Sequence, residues 1–98
     1  MKFRLIFPKS YNRRASKFFK KHPELIDIYA KVLRLLEANP YHPSLRLHPL
    51  SGKLSGLHAV SITLSYRITL EMIVEEHEII LVNVGDHDTV DPFCIKYL

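Results

Sequence analysis

The stretch HAVSITLSYRITLEMIV, residues 58–74, decides the fold. Val60 and Ile62 alternate with Ala59, Ser61 and Thr63. Tyr66, Ile68, Leu70 and Met72 alternate with Arg67, Thr69 and Glu71. A period of two is the signature of strands with two unlike faces. A tight turn at Thr63–Ser65 that sets Ile62 opposite Tyr66 also sets Ser61 opposite Arg67. The two strands, about His58–Thr63 and Tyr66–Val74, then share one apolar face. Their polar face has Arg67 near its centre.

Downstream, "EEHE" reads as a turn, and Glu78–Val84 as a third strand. The stretch VNVGDHDTVD, residues 82–91, then holds His87 between Asp86 and Asp88. Upstream, residues 41–57 contain Pro43, Pro49, Gly52 and Gly56, which predicts irregular chain with a short strand at Leu45–Leu47. At the start, Phe3, Leu5 and Phe7 alternate with Lys2, Arg4 and Ile6, a strand that Pro8 ends. Ser10 is a candidate cap for the next helix. Tyr11, Ala15, Phe18 and Phe19 share one face of that helix, and Arg13, Arg14, Lys17, Lys20 and Lys21 take the other. Pro23 suits the first turn of a second helix. Its buried stripe is Leu25, Ile28, Tyr29, Val32, Leu33 and Leu36, and Asn39 and Pro40 stop it. The predicted order is β-α-α-β-β-β. This is an α+β fold in a single domain, residues 1–98, with a helical hairpin packed on one face of a small, mostly antiparallel sheet.

Composition narrows the class of function. The 98 residues are 47% hydrophobic and 24% charged, the balance of a globular chain. Apolar runs fall short of a membrane span, and the start, MKFRLIF, lacks the features of a secretory signal. The only cysteine is Cys94, and no Cys/His spacing suits zinc. The expectation is a cytoplasmic protein without a metal or other cofactor. The net charge is +4, and residues 1–22 hold eight of the fourteen Lys/Arg and no acid. That block suits a polyanion or an acidic protein partner, and it is also what a solvated helix face looks like.

The order of elements, together with "LRLHPLSGKLSGL", "VSITLSYRI" and a strand ending in "VGDHDTV", resembles the RelE/ParE superfamily of toxins. The likeness is to its RelE/StbE and YafQ-like branches and covers nearly the whole chain. The resemblance implies a toxin of a type II toxin-antitoxin system, paired with a cognate antitoxin. RelE-like members are mRNA interferases, endoribonucleases that cut messenger RNA on the ribosome without a metal. ParE-like members instead poison DNA gyrase and lack the nuclease residues.

Metal-free RNA cleavage needs a base for the ribose 2′-hydroxyl, a cation for the phosphate and an acid for the leaving 5′-oxygen. Arg67, mid-strand on the polar face, is the candidate phosphate ligand, since its fork can grip a phosphate with two N–H groups. The alternative is an arginine paired with Glu71 on the same face. His87 is the candidate acid, because Asp86 and Asp88 would favour its imidazolium form if they lie close in space. The resemblance implies a catalytic histidine at that position, and another in the "HPL" context of His48, the candidate base. Arg46 and Lys53 are candidate contacts to phosphate or ribosomal RNA. The basic helix region would supply further ribosomal RNA contacts. His58 could stack on a base or be half-buried structure. Ser61 stands at a substrate-contacting position where RelE-like enzymes carry Lys or Arg and YafQ-like ones a histidine. Asp91 stands where relatives carry Tyr or Phe, and Phe93 is the aromatic that could replace it.

Two other readings follow from these departures. One is a non-enzymatic ParE-like toxin that inhibits gyrase. The other is a degenerate toxin that retains only antitoxin binding. Convergence of His48, His87 and Arg67 on one concave face would favour the nuclease.

Overall fold

The computed structural model describes residues 2–86. Strand β1 (Arg4–Ile6) leads into helix α1 (Lys9–Lys21), and helix α2 (Ile26–Ala38) follows. Four strands complete the described chain: β2 (His48–Pro49), β3 (His58–Ser61), β4 (Tyr66–Ile73) and β5 (Glu78–Asp86). They form one sheet in the order β1-β5-β4-β3-β2. Only the β1–β5 pair is parallel; the other three pairs are antiparallel. This is the α+β architecture expected, with the two-residue β2 at one edge of the sheet.

The hairpin of β3 and β4 has the register read from residues 58–74. Ser61 pairs with Arg67 and Val60 with Ile68, and the Ile62 N–H donates to the Tyr66 carbonyl at 2.8 Å. Val60, Ile68 and Leu70 therefore turn to one face. There they meet Tyr11 of α1 and Val32 and Leu36 of α2 in a single core. Burying these side chains is the main stabilising term, about 25 cal/mol per Å² of apolar surface removed from water. The helices are also tied to each other. The hydroxyls of Tyr11 and Tyr29 hydrogen-bond at 2.7 Å. Burial pushes both phenols above the ordinary tyrosine range, and for Tyr11 the neighbouring Tyr29 adds to the rise.

β5 contains an irregularity that the alternation did not predict. Thr69 pairs with Asn83 but Leu70 pairs with Leu81, so Val82 is an extra residue. Leu81 and Val84, three apart, both reach the core because of this bulge. The displaced backbone groups find one distant and one adjacent partner. Arg14 of α1 donates to the Val82 carbonyl at 2.9 Å, and the Val84 N–H donates to the Asn83 side-chain oxygen at 2.9 Å. One member of the basic block thus serves the fold.

Several local expectations change. Ser10 lies inside α1; Pro8 is the N-cap residue, and no side chain caps that end. Proline suits the site because the Asn12 N–H needs only its carbonyl, 3.0 Å away. Pro23 opens a short 3-10 turn, Pro23–Leu25, and α2 begins after it. Ile28 is 38% exposed, so it is not part of the buried stripe. The strand expected at Leu45–Leu47 is displaced: Pro43–Leu45 form a 3-10 turn, Arg46 turns left-handed at φ 53, and the strand starts at His48. Pro43 has no N–H for a ladder, and the His42 ring accepts the Ser44 N–H at 3.2 Å, which favours the turn.

Candidate active site on the open sheet face

The face of the sheet opposite the core carries no helix among the described residues. Pairing fixes what stands on it. Arg67 lies in β4 with Ser61 beside it on β3 and Gly85 beside it on β5. Thr69, two residues on, lies between Ala59 and Asn83. His48 on β2 pairs with Ala59, so it belongs to the same face. The neighbours of Arg67 are thus a serine, a glycine and, on the diagonal, an alanine. Serine and alanine have short side chains and glycine has none, so these three leave room for the guanidinium.

Arg67 uses that room to cross β3. Its Nη1 lies 3.0 Å from His48 Nε2, and His48 Nδ1 lies 2.9 Å from the Arg46 carbonyl. A guanidinium can only donate and a carbonyl can only accept, so these two contacts call for a proton on Nδ1 and a lone pair on Nε2. A cation and a basic nitrogen therefore stand side by side, both half-buried. This pair can bind an anionic oxygen at the arginine and, when the arginine turns to that oxygen and releases Nε2, accept a proton at the histidine.

The other candidates are dispersed. The Arg46 side chain is exposed, and only its carbonyl touches the pair. Lys53 is exposed in the 3-10 turn Gly52–Leu54, on the loop that the Leu50 N–H to Leu57 carbonyl bond closes at 2.9 Å. Ser61 is directly across from Arg67. His58 pairs with Leu70, a core residue, so its side chain belongs to the helix side of the sheet. Its Nδ1 is buried and has no hydrogen-bond partner among the described residues. That placement accords with the half-buried structural alternative for His58 rather than the base-stacking one. His87 and Phe93 lie outside the described residues, as do Asp88 and Asp91; β5 is described as far as Asp86, opposite Tyr66.

Sequence reasoning missed Ala59, Asn83 and Gly85. Gly85 had a signal, since a glycine inside a strand often marks a close approach. Asn83 had none, because only the bulge brings it to this face.

No family model and no curated protein matches the chain. Solved structures do. YafQ from E. coli strain BL21(DE3) superimposes with a TM-score of 0.73 at 11% identity, covering 89% of this chain and 96% of that one. The YoeB/ParE toxin from Agrobacterium tumefaciens gives a TM-score of 0.69 at 14% identity, covering 87% of this chain and 99% of that one. The RelBE2 toxin-antitoxin complex from Mycobacterium tuberculosis gives 0.63 at 18% identity, covering 89% of this chain and all (100%) of the matched one.

Proposed function

We propose that this chain, which has the fold of the YafQ and YoeB/ParE toxins, is itself the toxin of a toxin-antitoxin pair and acts as a ribosome-dependent, metal-independent mRNA interferase. The observation that carries the reading is the 3.0 Å approach of Arg67 Nη1 to His48 Nε2 on the open face. Arg67 would hold the scissile phosphate and stabilise its developing charge. Once the Arg67 N–H has turned from Nε2 to the phosphate, the lone pair of His48 Nε2 would take the proton of the 2′-hydroxyl. His87 would protonate the leaving 5′-oxygen. The basic side of α1, with Arg13, Lys17, Lys20 and Lys21, supports docking among ribosomal RNA phosphates. An antitoxin partner is supported by the likeness to a toxin solved as a toxin-antitoxin complex.

Ser61 favours a second reading, a gyrase-binding toxin without nuclease chemistry. It gives Arg67 no second cation across the strand pair. Primer extension on translating ribosomes separates the two. Cleavage at A-site codons by the wild type, lost in Arg67→Ala, His48→Ala and His87→Ala, is the expected result. Growth arrest by the wild type without such cuts would discard the nuclease.

A further inference from the structure

The turn that delivers His48 to the sheet contains a residue that meets the site through its backbone. Arg46 has φ 53 and ψ 44, the left-handed region that side chains other than glycine seldom occupy. Its N–H closes the preceding 3-10 turn on the Pro43 carbonyl at 3.2 Å. Its side chain is exposed, while its carbonyl accepts the His48 Nδ1–H at 2.9 Å. An extended residue at this position would carry the same carbonyl in another direction, away from the ring.

The consequence is chemical. In water a neutral histidine side chain favours the proton on Nε2. Here the carbonyl at Nδ1 and the guanidinium at Nε2 select the opposite tautomer, and each of the two contacts requires it. With the proton on Nε2, the ring could neither accept from Arg67 nor take a proton at the atom that faces the sheet.

We propose that Arg46 is a positioning residue that acts through its left-handed backbone, aiming its carbonyl at His48 so that Nε2 is the basic atom of the site. The inference rests on the reading of His48 as the base. It also gives Arg46 a different role from the phosphate contact that its side chain suggested.

Long-range proton–nitrogen correlation spectra of the histidine rings test it. The full chain would be compared as wild type, Arg46→Gly, Arg46→Asn and Arg46→Val, each with a thermal melt. Glycine and asparagine tolerate positive φ, whereas a β-branched residue resists it. The wild type, Arg46→Gly and Arg46→Asn are expected to show His48 protonated at Nδ1. Arg46→Val is expected to shift at least half of the population to the Nε2–H form. A wild type with the proton on Nε2, a shift in Arg46→Gly, or a folded Arg46→Val that keeps the Nδ1–H form would each overturn the proposal. If valine does not fold, the glycine variant alone still decides between backbone and side chain. Ribosome assays on the same proteins report on the nuclease separately: no cuts by a wild type that holds the Nδ1–H tautomer removes the RNase reading and leaves the positioning intact.

Discussion

Arg67 reaches His48 across the strand that carries Ala59, with 3.0 Å between Nη1 and Nε2. Ala59 pairs with His48 on one side and with Thr69 on the other, and it is fully buried. A single methyl at that point lets the arginine pass over the sheet. Ala59→Leu should close the path. We expect cleavage to fall at least tenfold, with a stability loss of about 1–3 kcal/mol from overpacking. Assays on translating ribosomes beside urea unfolding would check both. Undiminished cleavage would show that the histidine and arginine need not touch.

Arg67 should not be replaceable by lysine. An ammonium supplies charge but not the planar fork, and its shorter reach across β3 weakens the contact to His48. Arg67→Ala is expected to lower cleavage by about 10²–10³, the range for removal of a transition-state donor. Arg67→Lys should recover only a small part of that. Single-turnover rates on programmed ribosomes would decide, and full activity in the lysine variant would contradict a bidentate role.

Ser61→Lys places a second cation directly across from Arg67. Like charges opposed across an antiparallel pair cost about 0.2–1 kcal/mol. The same pair should hold an anion more tightly. We expect a lower melting temperature in dilute buffer, a larger rise in melting temperature with added phosphate than the wild type shows, and faster cleavage if phosphate binding limits the rate. Equal responses to phosphate in the two proteins would argue against an anion site at this register.

The phenols of Tyr11 and Tyr29 predict an alkaline weakness. Burial raises both pKa values in the folded state. A raised acid keeps its proton in the fold after the unfolded chain has lost its own. The stabilisation is therefore complete below the unfolded value of about 10 and is lost as pH rises above it. Urea unfolding between pH 8 and 11 should show stability falling with pH. Tyr11→Phe should flatten that slope and cost about 1 kcal/mol at neutral pH through the lost hydrogen bond to Tyr29. An unchanged slope would mean that these phenols ionise alike in both states.

Leu36 of α2 is fully buried in the core between helices and sheet. Leu36→Ala should destabilise the chain by about 2–5 kcal/mol, as transfer and cavity terms add. Thermal unfolding would register the loss, and a change below about 1 kcal/mol would mean that the core collapses around the gap.

The sequence by itself determined the elements whose period is regular. The alternation over residues 58–74 sets the hairpin register and puts Arg67 opposite Ser61, because a strand's side chains change face at every residue. The helical spacing of Tyr11, Val32 and Leu36 sets the faces that meet the sheet. Where the period breaks, only the tertiary structure decided. The left-handed turn at Arg46 moved β2 onto His48, and the bulge at Val82 moved Asn83 and Gly85 onto the open face. Both depend on where backbone groups find partners: the Val82 carbonyl takes Arg14, far along the chain, and the Arg46 turn takes the Pro43 carbonyl and the His48 ring close by. The pairing of His48 with Arg67 is of the same kind. It needs β2 to lie beside β3 and a small residue between, a relation across strands that no local pattern of residues encodes.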